Sequence, residues 1–423
     1  MAGVDVNRVR ADFPALRPAD GGLPAAHLDG PGGSQVPRQV AEAVAATMTA
    51  GLSNRGSVTP AERLAEAVVA GAREAVGDLL ATDPRGVVFG RSMTQLTFDF
   101  ARTLARSGDR PWGPGDEVVV TRLDHDANIR PWVIEAERAG ATVRWLGFDP
   151  VTAELDDVAS VLSERTRLVA VTAASNLFGT LPDVRRVADA AHAVGALVHV
   201  DAVHLAPHGV VDRAALGADL LVCSPYKFFG PHLGVLAADP ALLETLHPDK
   251  LLPSTQAVPE QFELGTLPYE LLAGTTAAID WIAGLADPDG TNGSNGTRRG
   301  RVVAAMTEVR RHEGELTERL LAGLAGIDGV TVHGRPERRT PTVLFNVAGV
   351  DGPDVSRGLA AHRVNAPAGS FYAIEASRHA GLGDTGGVRA GLAAYSTVED
   401  VDRFLAALAE VADRAVSQRL STR

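Results

Sequence analysis

The 423-residue chain holds one cysteine, Cys223, and two lysines, Lys227 and Lys250. A lone cysteine excludes an internal disulfide and a cysteine-based zinc cluster. Lysine is scarcer still for its class, because 38 of the 40 basic residues are arginine. Against that bias a surviving lysine points to a chemical requirement. Lys250 falls in HPDKLLP, a polar loop, whereas Lys227 falls in the apolar stretch LLVCSPYKFFGPHLGVL, where lysine is rarely placed for solubility. Positive charge is short overall: 40 Lys and Arg face 52 Asp and Glu, a net charge of −12. That excludes the broad basic footprint of a nucleic-acid binder, though not a local pocket for a small anion. No apolar run has the length of a membrane span, and MAGVDVNRVRADFPALRPAD carries no signal-peptide core. A soluble cytoplasmic protein is expected, with neither membrane nor nucleic acid as partner. The sequons at Asn292 and Asn295 are then polar loop. Nucleotide-binding glycine motifs are missing as well. His199, His204 and His208 are close in sequence, but Pro207 interrupts the turn that would align the last two, so no metal is expected.

What is present is ordinary globular material, 45% hydrophobic and 22% charged, enough for two packed domains or one large α/β domain. Between about residues 85 and 240, short β-rich runs alternate with helical patterns. The strands are expected at 86–89, 117–121, 142–148, 168–172, 197–201, 220–224 and 234–237, with amphipathic helices at 129–139 and 182–194. That alternation predicts an α/β fold whose mainly parallel seven-stranded sheet is covered on both faces. Helices at 271–284, 301–325 and 398–416 and strands at 330–333 and 342–347 predict a smaller α+β domain. The low-complexity stretch 286–300 reads as a mobile loop. Ligands of parallel α/β sheets bind at the carboxyl ends of the strands. Five polar segments fall there: Gly90-Arg-Ser-Met-Thr, Asp124-His-Asp-Ala-Asn, Ser175-Asn-Leu-Phe-Gly-Thr, Asp201-Ala-Val-His and Ser224-Pro-Tyr-Lys.

Asp201 ends the run LVHVD, and Lys227 follows 26 residues later, about one strand–helix–strand unit. An aspartate and a lysine at the tips of neighbouring strands match the needs of pyridoxal phosphate (PLP). A desolvated amine forms an imine with the aldehyde, and an ionised carboxylate keeps the pyridine nitrogen protonated. The ring then accepts the electrons of a carbanion at the substrate Cα.

The block HVDAVHLAPHGVVDRAALGADLLVCSPYKFFGPHLGVL resembles the signature of class V PLP enzymes of the cysteine desulfurase type, and the likeness runs from HLDGPGGSQVP at residue 27 to VRAGLAAYSTVEDVDRFL near residue 404. The resemblance implies the PLP-dependent transferase fold type I, with a large PLP-binding domain over 26–275 and a small domain from 1–25 and 276–423. It implies that Lys227 is the Schiff-base lysine, Asp201 the partner of the pyridine nitrogen and His125 the ring-stacking, catalytic histidine. Asn176 and His204 fall where side chains meet the cofactor's phenolic oxygen, His204 standing where relatives usually carry glutamine. Ser224 and Tyr226 match phosphate contacts, Tyr226 where histidine is common. Ser92, Met93 and Thr94 occupy the phosphate loop, in place of the usual Gly-Thr-Thr. Thr266, in FELGTLPYE, resembles the residue that reaches the phosphate of a neighbouring subunit, and Arg55, in SNRGS, crosses over in the same way toward substrate. Both imply a homodimer with shared active sites. Arg389, in VRAGLAAYST, matches the arginine that grips the substrate carboxylate through a planar pair of hydrogen bonds.

Desulfurases carry a cysteine on a small-domain loop that takes sulfur as a persulfide. The matching stretch here, RVNAPAGSFYAIEASRHAG, has none, and Phe371 and Tyr372 make it aromatic. Cys223 is expected to pack as a small buried hydrophobe. The expected activity on an amino acid is therefore β-elimination, breaking the C–S bond of L-cysteine or an S-substituted cysteine. Transamination, epimerisation or decarboxylation-linked deamination would start from the same carbanion, and fold alone does not choose among them. An inert PLP-binding scaffold is the non-enzyme alternative; it would have no need of Arg389 and Asp201 together with Lys227.

Overall fold

The computed structural model describes residues 5–17, 22–107, 110–285 and 296–421. Its strands in chain order are β1 (Ala26–His27), β2 (Val87–Gly90), β3 (Glu117–Thr121), β4 (Thr142–Leu146), β5 (Thr166–Thr172), β6 (Leu197–Asp201), β7 (Leu220–Cys223), β8 (Gly234–Ala238), β9 (Val330–His333), β10 (Thr342–Val347), β11 (Val364–Asn365), β12 (Ala368–Gly369) and β13 (Gly387–Gly391). Seven of them form one sheet in the order β2-β8-β7-β6-β5-β3-β4. Only β8 runs antiparallel to its neighbours, β2 and β7; the other pairs are parallel. The fold is thus α/β with a mainly parallel seven-stranded sheet, as the alternating pattern implies.

Both faces of this sheet are buried, which explains why its strands read as unbroken apolar runs. The two-residue period still sorts the side chains. Val87, Phe89, Val119, Val169, Val198, Val200 and Leu221 enter one core with the helices Pro60–Leu80, Val184–Ala193 and Tyr269–Gly284. Val88, Val118, Val120, Leu168, Leu220 and Val222 enter the other with Met93–Arg106 and Arg130–Ala139. Every strand tip between these layers opens toward the same edge, apart from that of β8, and there the site forms.

A second sheet, β12-β13-β10-β9, is antiparallel throughout. Its core joins Val343, Phe345 and Val388 to Leu316 and Leu320 of the helix Arg298–Ala325 and to Phe404 of the helix Val398–Ser421. The short β1 pairs in parallel with β11, which ties the start of the described chain to this second unit. Of the stretch 286–300, residues 286–295 lie outside the described residues. Arg298 to Gly300 are helical, capped by the Thr297 hydroxyl on the Gly300 N–H, so the loop reading does not extend to them. Among the described residues no helix is long and apolar enough to cross a membrane.

Candidate active site

Strand ends deliver the side chains. β6 stops at Asp201, and β7, its parallel neighbour, runs into a 3₁₀ turn over Pro225–Lys227. The 26-residue spacing is therefore one crossover between adjacent strands, and it brings Asp201 and Lys227 to one cavity of about 530 Å³. Ser92, Met93 and Thr94 reach it from the turn after β2, His125 from that after β3 and Asn176 from that after β5. His204, Ser224 and Tyr226 complete its large-sheet wall, and Arg389 enters from the middle of β13.

The lysine is poised as an amine. Its Nζ donates to the Pro31 carbonyl oxygen at 2.5 Å and lies 4.9 Å from the centre of the Tyr226 ring. Burial, reinforced by the positive charge of Arg389 and opposed by Asp201, pushes its pKa down to about 7. Asp201 is 4% exposed, and burial raises its pKa to about 6 against the Val203 N–H that bonds Oδ1 at 2.8 Å. Its second oxygen is left for a cationic partner. His125 is held near pKa 4 by burial and by the charges of Lys227 and Arg389, so its ring is neutral. Its Nδ1 accepts the Ala127 N–H at 3.0 Å, which leaves the ring proton on Nε2. Behind it, Asp124 is fully buried and bonded by Asn128 at 2.6 Å and by the Thr172 N–H at 3.0 Å; burial lifts its pKa to about 8.

Arg389 is 3% exposed, with burial lowering its pKa to about 9. It donates to the Asn176 carbonyl oxygen at 2.9 Å and lies 3.7 Å from the centre of the Phe371 ring. Phe371 and Tyr372 both have left-handed backbones, φ 53° and 58°. Bulky residues rarely adopt that conformation. Two bonds hold it: Asn176 Nδ2 to the Phe371 carbonyl at 3.0 Å, and the Asp126 N–H to the Tyr372 carbonyl at 2.7 Å. The Tyr372 ring then stacks on His125, centres 5.5 Å apart.

These groups fit PLP. The helix Met93–Arg106 begins here with Ser92 as its cap, Oγ accepting the Gln95 N–H at 3.1 Å, so free N–H groups face the cavity as an anion cradle. A Cβ at Gly234 would lie 2.2 Å from the Ser92 carbonyl carbon, so only glycine in β8 lets that turn sit so close. Asn176 Oδ1 and Arg389 Nε are buried without a hydrogen-bond partner among the described residues. Lys227 would supply an amine for the aldehyde, and Asp201 a carboxylate for the ring nitrogen.

Two sequence-predicted residues do not reach this cavity. Arg55 binds Glu66 at 2.8 Å and Glu260 at 3.1 Å, and Thr266 is exposed on the segment before the helix Tyr269–Gly284. His204, placed against the cofactor by resemblance, does line the cavity, but its Nε2 is engaged by the Thr342 and Thr340 hydroxyls at 3.0 and 3.2 Å. The other two histidines of that run serve separate partners, His199 on Asn128 and His208 on Glu313. Cys223 is fully buried in β7, where burial raises its thiol pKa. Phe98, Thr172 and Arg130 also line the cavity and were not singled out from sequence. Phe98 had a signal: it lies four residues after Thr94, on the same helix face.

The aminotransferase class-V family model matches residues 26–292 and 301–404. An uncharacterized protein of Mycobacterium tuberculosis is 34% identical, across 96% of this chain and 99% of its own length. A probable cysteine desulfurase of Pseudomonas aeruginosa is 32% identical, across 94% of this chain and 96% of its own. The crystal structure of the cysteine desulfurase CsdA of Escherichia coli superposes with a TM-score of 0.81 at 28% identity, covering 98% of this chain and 99% of that one. With a PLP-fitted site on a matching fold, the chain belongs to the class V aminotransferases, as a PLP-dependent protein of the cysteine desulfurase-like kind.

Proposed function

We propose that this protein breaks the Cβ–S bond of L-cysteine or an S-substituted cysteine by β-elimination, with no persulfide cysteine of its own. The observation that carries the reading is the loop at the cavity mouth. It presents the rings of Phe371 and Tyr372 beside Arg389, whereas the chain's one thiol is sealed in β7. An aromatic mouth suits an apolar sulfur substituent, and the buried Cys223 cannot act as a sulfur acceptor.

Bound PLP supplies an electron sink for a carbanion at Cα. The chain's residues do the rest. Arg389 grips the substrate carboxylate and, through Phe371, keeps its guanidinium plane fixed. Asp201 holds a proton on the ring nitrogen. Lys227 Nζ, neutral in about half of the molecules near pH 7, takes the Cα proton. The sulfur leaves Cβ with the bonding pair and is protonated to the thiol. The released aminoacrylate takes up water to give pyruvate and ammonia, which balances the reaction without an oxidant. His125 would offer the cofactor ring a neutral imidazole to stack on, and Ser92, Thr94 and Ser224 would hold the phosphate. The organisation proposed with this function is a cytoplasmic homodimer of chains divided into 26–275 and 1–25 with 276–423. Arg55 and Thr266 would act in the partner's cavity.

The test is a substrate panel of L-cysteine, S-alkyl and S-aryl cysteines and L-alanine, assayed for pyruvate, thiol, aldehyde and inverted amino acid. Pyruvate and thiol in equal amounts are expected, with turnover lost by at least about 10³-fold in Lys227→Ala and kept in Cys223→Ser. Inverted amino acid or aldehyde without thiol would replace β-elimination by another fate of the same carbanion. Borohydride treatment of the holoenzyme and peptide mapping should place a pyridoxyl group on Lys227.

A further inference from the structure

The chain leaves β12 through a tight turn, residues 370–373, closed by the Ala373 N–H on the Ser370 carbonyl at 2.8 Å. Its two central residues, Phe371 and Tyr372, have φ 53° and 58°. A closed turn with both central residues left-handed follows the type I′ pattern, whose usual occupants are asparagine and glycine. Two aromatic residues suit it poorly, so this backbone conformation costs stability. Burial does not offset that cost at Tyr372, which is 77% exposed.

The turn is fixed at both ends. β12 pairs with β13, and the Arg389 N–H donates to the Pro367 carbonyl at 2.9 Å, so the turn rises from the strand that carries Arg389. Beyond it, Ala373 and Ala376 are buried in a core with Leu123, Phe148 and Leu344. A backbone held on both sides keeps strain that a free loop would relax. Each ring then lies on one group of the active site. The guanidinium carbon of Arg389 stands 3.7 Å from the centre of the Phe371 ring, and the Phe371 carbonyl accepts from Asn176, whose own carbonyl accepts from Arg389. Tyr372 stacks on His125, and its carbonyl accepts the N–H of Asp126, the next residue after that histidine. Ring and carbonyl of each residue thus act on the same neighbourhood, one side at the carboxylate reader and the other at the imidazole.

We propose that Phe371 and Tyr372 form a strained clamp of two positioning residues, Phe371 orienting Arg389 toward the substrate carboxylate and Tyr372 holding His125 flat for the cofactor ring. The strain follows from placing two rings where the turn by itself would select none. The clamp rests on the roles proposed for Arg389 and His125, and not on which bond breaks afterwards.

The experiment compares L-2-aminobutyrate with n-propylamine, the same molecule without its carboxylate; neither has a group to eliminate from Cβ. Binding of each to the holoenzyme is read by stopped flow from the cofactor absorbance. Phe371→Leu keeps an apolar body but loses the ring face, and should cut the preference for the amino acid about tenfold by weakening the amino acid and not the amine. Arg389→Lys should cut the preference too. Tyr372→Gly suits the left-handed position, and should release PLP about fivefold faster on dilution with no lower melting temperature of the apoprotein. Tyr372→Phe, which keeps the ring, should release PLP at the wild-type rate. An unchanged preference in Phe371→Leu, or unchanged release in Tyr372→Gly, overturns the clamp. Faster release that comes only with a lower melting temperature makes Tyr372 structural and overturns it as well. An unchanged preference in Arg389→Lys removes the carboxylate grip, and the clamp with it. None of these readouts depends on pyruvate formation, which tests β-elimination separately.

Discussion

Lys227 shows how burial converts an ordinary residue into a reagent. An exposed lysine near pKa 10.4 offers almost no free amine at neutral pH. Here desolvation and Arg389 bring the pKa to about 7, and Asp201 only partly opposes them. The neutral form is the nucleophile, so capture of the cofactor aldehyde should speed up as pH rises through this value and level off above it. From pH 6 to pH 7 the neutral fraction grows about fivefold for a pKa of 7, against tenfold for an unperturbed lysine that keeps rising to pH 10. Stopped-flow reconstitution of the apoprotein at saturating PLP should show that early plateau; a rate still climbing at pH 9 would mean that the amine is not desolvated. Lys227 was legible because the sequence is nearly free of lysine, and Asp201 because an acid at the end of LVHVD is out of place. Asp124 was not marked out, although it is fully buried beside His125, because the Thr172 and Asn128 contacts that make it special are set by the tertiary fold.

At the scale of elements, the site depends on how closely β8 approaches the start of the helix Met93–Arg106. Gly234 pairs with Gly90 across the β2–β8 ladder, and the room for a Cβ at Gly234 is already filled by the backbone of Ser92 and Met93. Gly234→Ala should therefore move the phosphate turn rather than merely crowd a side chain. Overpacking of this kind costs about 1–3 kcal/mol. The expected outcome is a lower melting temperature and, at a temperature where the variant is fully folded, a PLP affinity reduced about tenfold or more in fluorescence titration. Unchanged affinity would place the phosphate elsewhere. The seven strands of the large sheet were visible as β-rich runs, with ends misjudged by one or two residues where apolar character runs past the last ladder bond. β13 was not recognised: its GVRAG is short and small-residued, and it is a strand because β10 and β12 flank it. The helices Arg38–Met48 and Pro60–Leu80 were likewise passed over, although both are amphipathic and the second opens on a capping box, Thr59 with Glu62.

At the scale of the whole molecule, large apolar side chains are exposed on two separate segments. Leu252 is 99% exposed, Leu251 70% and Leu264 62%, and all three lie on the stretch that leads to Thr266. Met48 and Val58, 70% and 81% exposed, flank Arg55 on the other segment that resemblance assigns to a neighbour's site. Thr266 and Arg55 thus share one property in the fold: neither lines its own chain's cavity, and each is near exposed apolar side chains. A two-fold dimer burying these segments would explain both, because an isologous interface covers the same patch on each copy while offering each cavity the other's residues. Arg55 is already braced for this, with Glu66 and Glu260 holding its guanidinium and raising its pKa, so it would arrive at an interface oriented. Sedimentation equilibrium of the holoenzyme should give twice the 44.1 kDa chain mass. Leu252→Asp with Leu264→Asp should shift it toward monomer and lower PLP affinity, although neither residue lines the cavity. Mixing gives a sharper result. In a heterodimer of Lys227→Ala and Thr266→Trp chains, a threonine that acts in the partner's cavity puts both defects in one cavity and leaves the other with its own lysine and the partner's intact threonine. That heterodimer should keep one working cavity and about half of wild-type activity, although each variant homodimer is impaired. A heterodimer with wild type should keep one working cavity for either variant. An inactive heterodimer would put Thr266 in its own chain's cavity, and a fully active Thr266→Trp homodimer would give it no role; either result ends the shared-site arrangement.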